Sequence, residues 1–237
     1  MAPKPEAPVP TSNDGTPIKR RQPGYYPGFS TLSQQSFWDS TTRKVVLDRV
    51  TDIPPIRFFT PEEAETMALV LDHILPQSDR EESRRIPVLP FMDKNLFEKK
   101  ISGFRYEDMP PEQEAYHIGL RGIEQMAREV HGRAFVACTY AERELLLQSL
   151  NDDKPAGAQQ QWKQLNVKRF WKMLLHDAAA VYYAHPWAWD EIGFGGPAYP
   201  RGYMRLENGR PEPWEVEEER YAWNAPEGTR SEIKRKF

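Results

Sequence analysis

The chain has 237 residues, of which 39% are hydrophobic and 28% are charged, and its formal net charge is −3. This length fits one sizeable domain or two small ones, and the small net charge gives no bulk attraction for nucleic acid or for an anionic membrane surface. Cys138 is the one cysteine, which excludes an intramolecular disulfide and a zinc or iron–sulfur site built from cysteines. Because no run approaches the roughly 18 apolar residues of a membrane helix, we also expect no membrane insertion.

The first 57 residues are predicted to lie outside the main domain. Residues 1–24 are rich in proline and polar residues, so we expect a disordered arm. They lack the apolar stretch of an export signal, which favours a cytoplasmic location, with co-export by a signal-bearing partner into the periplasm as the alternative. Residues 25–57 mix aromatic and aliphatic side chains up to Pro54-Pro55, and we expect an extended docking arm or a short strand there rather than a helix.

Three signals agree on a helix that begins after Thr60. Thr60 can cap the first turn, Pro61 suits the first helical position, and Glu63 completes a capping box. The apolar residues then recur at helical spacing until Pro76 ends the pattern: Met67, Val70, Leu71, Ile74 and Leu75. We predict that this stripe faces the core.

Two further helices are predicted after a charged loop over residues 77–85. One covers residues 87–100, with Leu89, Met92, Leu96 and Phe97 inward. The next runs from Pro110-Pro111 to Val130, and its predicted buried face holds Ala115, Ile118, Ile123, Met126 and Val130. Gly119 and Gly122 would let a neighbouring helix approach this one closely, and Gly132 would end it.

The last predicted helices lead to the C-terminal third of the chain. Thr139 caps a helix to residue 150, with Leu145, Leu146 and Leu150 facing the core. After a linker at 151–157, helices are predicted over 158–165 and 167–184, and their inward set is Phe170, Leu174, Ala178, Val181 and Tyr182. His185-Pro186 is predicted to stop the final helix.

These patterns predict an all-α fold. It consists of a helical bundle with a flexible N-terminal arm and a long, ordered C-terminal loop region rich in aromatic residues, glycine and proline. The bundle domain covers residues 58–223 and includes that aromatic loop at 182–214, and residues 224–237 form a flexible tail.

The loop, YYAHPWAWDEIGFGGPAYPRGYMRLENGRPEPW, follows neither the helical nor the strand period. Long irregular segments are usually functional or disordered, and disordered segments are poor in aromatic residues. Because Trp, Tyr and Arg are enriched at interface hot spots, we predict that this loop docks on a partner protein. The predicted interface residues are Trp187, Trp189, Asp190, Phe194, Tyr199, Arg201, Tyr203, Arg205 and Trp214. The alternative is that these rings cover the chain's own helices.

Candidate catalytic or metal-binding residues are few, and each set lacks a part that its chemistry needs. Glu114 and His117 have the Glu-x-x-His spacing of di-iron bundles, but no second pair exists. His176-Asp177 could serve in acid–base chemistry, but no nucleophile motif accompanies the pair.

His185 offers metal-type ligands together with Asp190 and Glu191, although the set has no zinc spacing. Hydrogen bonding of His185 and Asp190 to the backbone of the loop is the simpler interpretation. Two alternatives to partner docking therefore stay open: a metal-dependent helical-bundle enzyme that uses Glu114, His117, His176, His185 or Asp190, and a helical chaperone or scaffold for another client.

Three segments resemble the gluconate 2-dehydrogenase subunit 3 family. They are FFTPEEAETMALVLDHILPQSD, FRYEDMPPEQEAYHIGLRGIEQMA and the C-terminal stretch from Tyr182 to Val216, and the similarity spans about residues 58–223. The resemblance implies a small, non-catalytic accessory subunit with no cofactor of its own. Its partner would be a large FAD-dependent flavoprotein of the glucose–methanol–choline type that oxidises a sugar or sugar acid, and a cytochrome c subunit can accept the electrons. The small subunit would help the flavoprotein to mature. In many members of the family the small subunit also carries a twin-arginine export signal, and the N-terminus of this sequence does not match that pattern.

Overall fold

Helices form all the regular secondary structure that the computed structural model describes, which covers residues 30–100, 106–192 and 194–197. The α-helices are α1 (Ser40–Thr51), α2 (Pro61–Ile74), α3 (Val88–Phe97), α4 (Glu112–His131), α5 (Tyr140–Asn151), α6 (Gln159–Trp162), α7 (Val167–Tyr183) and α8 (Pro186–Ile192), and short 3-10 helices cover Thr31–Phe37, Glu82–Arg84 and Phe135–Ala137. The all-α prediction is confirmed. The predicted disordered arm at 1–24 and the predicted tail at 224–237 lie outside the described residues.

Local signals place the starts of two helices where the sequence predicts them. The Thr60 hydroxyl accepts a hydrogen bond from the Glu63 N–H at 3.2 Å, and the Glu63 carboxylate accepts one from the Thr60 N–H at 3.1 Å. Thr139 and Glu142 form the same reciprocal capping box at the start of α5. Each box satisfies backbone N–H groups that a helix start leaves without an intrahelical partner, so both helices begin at a fixed residue.

Helix α4 is the centre of the bundle and packs against α2, α5, α6 and α7. Its two interior glycines allow the close approach that the sequence predicts. The ring of Phe170, on α7, lies directly over Gly119, and the indole of Trp162, on α6, lies over Gly122. Phe170 is fully buried, so the packing of α7 on α4 depends on the absence of a side chain at Gly119.

Three side chains that were predicted to face the core are exposed instead: Phe97, Val130 and Leu145. Three consecutive leucines begin at Leu145, and only a stripe about 100° wide can face the core. Leu146 and Leu147 take that stripe with Leu150, and Leu145 is left 68% exposed. Val130 lies in the last turn of α4, and the Phe97 ring is covered on one face by the Arg57 guanidinium at 4.1 Å.

Residues 31–37 and 40–51 are helical, which corrects the prediction of an extended arm or a short strand. The carboxylate of Asp39 caps α1 by accepting hydrogen bonds from the N–H groups of Thr41 and Thr42, at 2.9 and 3.0 Å. Val46 is the one residue of α1 that is buried, so the helix has almost no amphipathic pattern for a sequence analysis to detect. Tertiary contacts stabilise it instead, as short isolated helices are marginal in water.

The connection from α1 to α2 is anchored by one buried carboxylate. Asp93, on α3, is fully buried and accepts hydrogen bonds from three successive backbone N–H groups, those of Arg57, Phe58 and Phe59, at 2.7, 2.9 and 2.9 Å. This set satisfies both carboxylate oxygens and holds the chain in place just before α2 begins.

None of the helices in the described ranges is long and apolar enough to cross a membrane.

Candidate partner-binding region

Helix α8 forms at the start of the predicted aromatic loop, which corrects the prediction of irregular structure there. His185 is the residue before it, and its backbone carbonyl accepts from the N–H groups of Ala188 and Trp189 at 3.0 and 3.2 Å. The Nδ1 atom of His185 accepts from the Trp187 N–H at 3.2 Å, so the imidazole caps the helix. Pro186 occupies the first helical position, where its missing N–H costs nothing. The His185-Pro186 pair therefore ends α7 and also begins α8.

The imidazole of His185 is held in its neutral form. Burial lowers its pKa from 6.5 to about 4, while the backbone carbonyl of Arg49 acts in the opposite direction and the cationic Arg80, Arg49 and Arg84 lower it further. Because Nδ1 accepts a hydrogen bond, the ring proton lies on Nε2. A neutral imidazole in this position stabilises the junction of α7 and α8 at neutral pH.

A buried arginine joins the charged loop before α3 to α7 and α8. Arg80 forms an ion pair with Glu191, on α8, and donates a hydrogen bond to the Tyr182 hydroxyl, on α7, at 3.0 Å. The same guanidinium donates to the Arg84 carbonyl at 3.2 Å, and the Arg84 guanidinium lies over the Trp187 ring at 4.6 Å. Arg80 is almost completely buried, so its charge requires these partners.

The N-terminal helices pack against α8 from the other side. The Asp190 carboxylate accepts from the Thr31 N–H at 2.7 Å and from the Ser30 hydroxyl at 3.4 Å. Arg49 donates to the Ala184 carbonyl at 2.5 Å, and its guanidinium lies 5.5 Å from the centre of the Trp189 ring. Trp189 also packs with Trp38 and Val46 in a small apolar cluster that Leu32 borders. This segment thus covers one face of α8.

The nine predicted interface residues fall into three groups. Trp187, Trp189 and Asp190 are buried by the chain's own residues, and the indole N–H of Trp189 donates to the Tyr183 carbonyl at 2.6 Å. Phe194 is 48% exposed and meets the Trp189 ring edge-on, with 5.4 Å between the ring centres. The other five lie outside the described residues: Tyr199, Arg201, Tyr203, Arg205 and Trp214. Contact with a partner stays a prediction for the whole set.

The candidate catalytic and metal-binding residues do not form one site, and His117 makes a contact between two helices instead. His117 pairs with Glu63, on α2, at 2.7 Å and packs against the Phe58 ring, rather than acting together with Glu114. In the part of the chain that the structure describes, no group of three His, Cys, Asp or Glu side chains is close enough to hold a metal ion.

Among the pockets in the described part of the chain, one is lined by candidate residues from the sequence analysis. It has a volume of about 420 Å³ between α3, α4 and α7, and its lining includes Tyr116, His176, Asp177 and His185. The Tyr116 hydroxyl is already engaged, since it donates to the Asp177 carboxylate at 2.6 Å, and burial together with that carboxylate raises its pKa well above 10.0. This pair connects α4 to α7.

Sequence reasoning missed three residues, two that organise this region and Asp93, which anchors the connection from α1 to α2. Arg80 and Asp93 lie within charged or mixed patterns that resemble ordinary exposed positions, and no local signal distinguishes them. Pro186 carried a usable signal, because proline is favoured at the first position of a helix as well as after the end of one.

Comparison with known proteins identifies one relationship. The family model described as gluconate 2-dehydrogenase subunit 3 matches residues 61–196, more than half of the 237 residues. The matched range begins at the first residue of α2 and includes α8, whereas the N-terminal helices at 31–51 lie outside it. Neither the curated proteins nor the solved structures contain a match to this chain.

Proposed function

Because the chain belongs to the gluconate 2-dehydrogenase subunit 3 family, we propose that it is a non-catalytic accessory subunit of an FAD-dependent dehydrogenase. The family match carries this proposal. The family is one of dehydrogenase subunits, so its members function in a complex with other subunits. In the proposal, a large flavoprotein of the glucose–methanol–choline type binds FAD and oxidises a sugar or sugar acid, and a cytochrome c subunit can receive the electrons.

The contacts of the titratable side chains support an accessory role. Three such pairs connect one helix to another: His117 with Glu63 between α4 and α2, Tyr116 with Asp177 between α4 and α7, and the pair His73 and Glu144 between α2 and α5 at 2.6 Å. Groups that act on a substrate must reach it within hydrogen-bond distance. Groups engaged between helices in this way stabilise the bundle, so their arrangement favours a scaffold that presents a surface to another subunit.

The proposed contribution of this scaffold is the maturation and stability of the flavoprotein. The test is co-expression of the flavoprotein encoded beside this chain, with and without the chain. We expect the flavoprotein purified with this chain to contain more FAD per polypeptide and to show more dehydrogenase activity. Equal FAD content and equal activity in the two preparations would overturn the proposal.

A pair of surface variants tests where the partner docks. Ile192, the last residue of α8, and Phe194, two positions further on, are 53% and 48% exposed, which makes them suitable probes of the docking surface. Trp187 and Trp189 are unsuitable, because replacing a buried aromatic residue destabilises the fold itself. We expect Phe194→Asp to reduce co-purification with the flavoprotein at least about tenfold, since central interface residues cost about 2 kcal/mol or more when lost.

Leu145→Asp is the matched control. Leu145 is 68% exposed on α5 and does not belong to the α8 region, so the same change in chemistry at that position should leave co-purification intact. Equal co-purification of the Phe194→Asp and Leu145→Asp variants would place the docking surface elsewhere.

A further inference from the structure

The N-terminal helices cover a surface that belongs to the family domain, although they themselves lie outside it. The family match begins at residue 61 and includes α8, whereas the arm, which we define as residues 30–51, precedes the match. The covered face of α8 holds Trp189 and Asp190. The family domain of this chain therefore includes an apolar face with a buried carboxylate, and a segment outside that domain occupies it.

The fully buried apolar residues of the arm form a small cluster beside the main core. Trp38, Val46 and Trp189 form this cluster, whereas the main core is built from buried residues of α2 to α8, and Val50 of the arm packs against it. Four polar contacts supplement the cluster: the Thr31 N–H and the Ser30 hydroxyl on Asp190, the Thr31 hydroxyl on the Phe194 carbonyl, and the Arg49 guanidinium on the Ala184 carbonyl. A segment with so few buried apolar contacts opens at a lower free energy than the core.

The arm also buries polar atoms that gain no partner within the described residues. The Oε1 atom of Gln34 and the indole N–H of Trp38 are buried there without a hydrogen bond. Each such atom loses its interaction with water when the arm closes and regains it when the arm opens. These two atoms therefore favour the open state.

The connection between the arm and the core is an exposed segment without regular structure. Residues 52–57 adopt no helical structure, contain Pro54-Pro55 and are largely exposed. Beyond them, the Asp93 carboxylate fixes the backbone N–H groups of residues 57–59. Opening of the arm therefore stops at residue 57 and leaves α2 in place.

We propose that the face of α8 under the arm is a docking site for the partner subunit of the dehydrogenase, and that the arm is a strap that fills this site in the free chain and leaves it on assembly. The identity of the occupant rests on the proposed function, whereas the opening of the strap does not. The contacts of the arm define the chemistry that the partner must supply. The partner needs apolar side chains that pack on Trp189 and a cation that binds the Ala184 carbonyl at the end of α7. It also needs a backbone or side-chain N–H for Asp190, because a buried carboxylate cannot be left without a donor.

Hydrogen exchange followed by mass spectrometry on the full-length chain tests the strap. We expect the amides of residues 31–51 to exchange faster than those of α4 and α7. Thr31→Pro removes two contacts of the arm: the N–H that Asp190 accepts and the hydroxyl that donates to the Phe194 carbonyl. It should speed exchange in the arm by at least about tenfold to a hundredfold, as expected for the loss of a hydrogen bond to a charged group. Asp190→Asn should act in the same direction from the other side.

Asp48→Asn is the matched control. Asp48 lies on the exposed side of α1 and pairs with Lys44 at 2.5 Å, a contact whose loss should leave exchange unchanged. If Thr31→Pro accelerates exchange in α4 as much as in the arm, the arm and the core unfold together and the strap is refuted. Exchange of the arm as slow as that of α4 in the unmodified chain refutes it equally.

The same measurement on the complex with the flavoprotein tests the docking site. We expect residues 31–51 to lose protection on assembly, while residues 186–192 stay protected. A gain of protection in the arm would show that the partner binds on top of it, which overturns the displacement. If the flavoprotein does not co-purify with the unmodified chain, the proposed function fails and the displacement fails with it, whereas exchange in the free chain still decides whether the strap opens.

Discussion

Replacing Gly119 with alanine tests how α7 packs on α4. A Cβ atom at Gly119 would lie 2.0, 2.4 and 2.5 Å from three atoms of the Phe170 ring, where carbon atoms normally approach to about 3.5 Å. The ring would have to move by more than about 1 Å. It is fully buried and lies between Tyr116 and Trp162, with ring centres 6.1 and 6.3 Å away, so the surrounding core has to move with it.

The expected change in the free energy of unfolding has the opposite sign to the one that helix propensity alone predicts. In the interior of a helix, a change from glycine to alanine stabilises by about 1 kcal/mol. Overpacking of a well-filled core costs about 1–3 kcal/mol and occasionally more, and the short distances to Phe170 place this site at the upper end of that range. We therefore expect Gly119→Ala to lower the free energy of unfolding by about 2 kcal/mol, or the melting temperature by about 4–8 °C for a domain of this size.

Thermal unfolding followed by circular dichroism measures the effect. Phe170→Leu, alone and combined with Gly119→Ala, completes a double-mutant cycle. Because the smaller side chain makes room for the methyl group, Gly119→Ala should cost less in the Phe170→Leu background than in the unmodified chain. A Gly119→Ala variant that melts at a higher temperature than the unmodified protein would refute the reasoning.

Three further predictions concern single side chains. Asp93→Asn replaces a carboxylate that accepts from three backbone N–H groups with an amide that turns a donor toward at least one of them. It should lower the free energy of unfolding in urea by about 2–5 kcal/mol, whereas Asp48→Asn should leave it unchanged. The pKa of His185 is about 4 in the folded chain and 6.5 in the unfolded chain, so between pH 6.5 and 4 only the unfolded chain binds a proton at this residue. The free energy of unfolding should therefore fall as the pH drops through this range, by up to about 1.4 kcal/mol per pH unit. In the His185→Asn variant this slope should be shallower, and an unchanged slope would assign it to other groups. Thr139→Ala should cost about 1 kcal/mol through the lost cap of α5, Thr139→Ser should retain most of the stability, and equal losses in the two variants would contradict the capping argument.

The candidate region was only partly accessible from the sequence. The aromatic stretch was identified as unusual, and the match of the family model to residues 61–196 confirms the resemblance. The sequence could not separate buried rings from exposed ones within it. Helix α8 has seven residues, fewer than the 11–18 over which a helical period becomes visible, so Trp187 and Trp189 looked no different from Phe194.

The sequence by itself determined the features that depend on neighbours within a few residues. The capping boxes at Thr60 and Thr139, the close approach at Gly119 and the end of α4 at Gly132 all follow from local chemistry, and all are present. Only the tertiary structure decided which segments pack together: the arm on Asp190, and the connection between α1 and α2 on Asp93. The Thr31–Asp190 contact joins residues 159 positions apart, and the contacts of Asp93 join residues 34 to 36 positions apart. A carboxylate in the sequence does not reveal whether water or a distant backbone N–H will satisfy it, because that depends on which segments folding brings together.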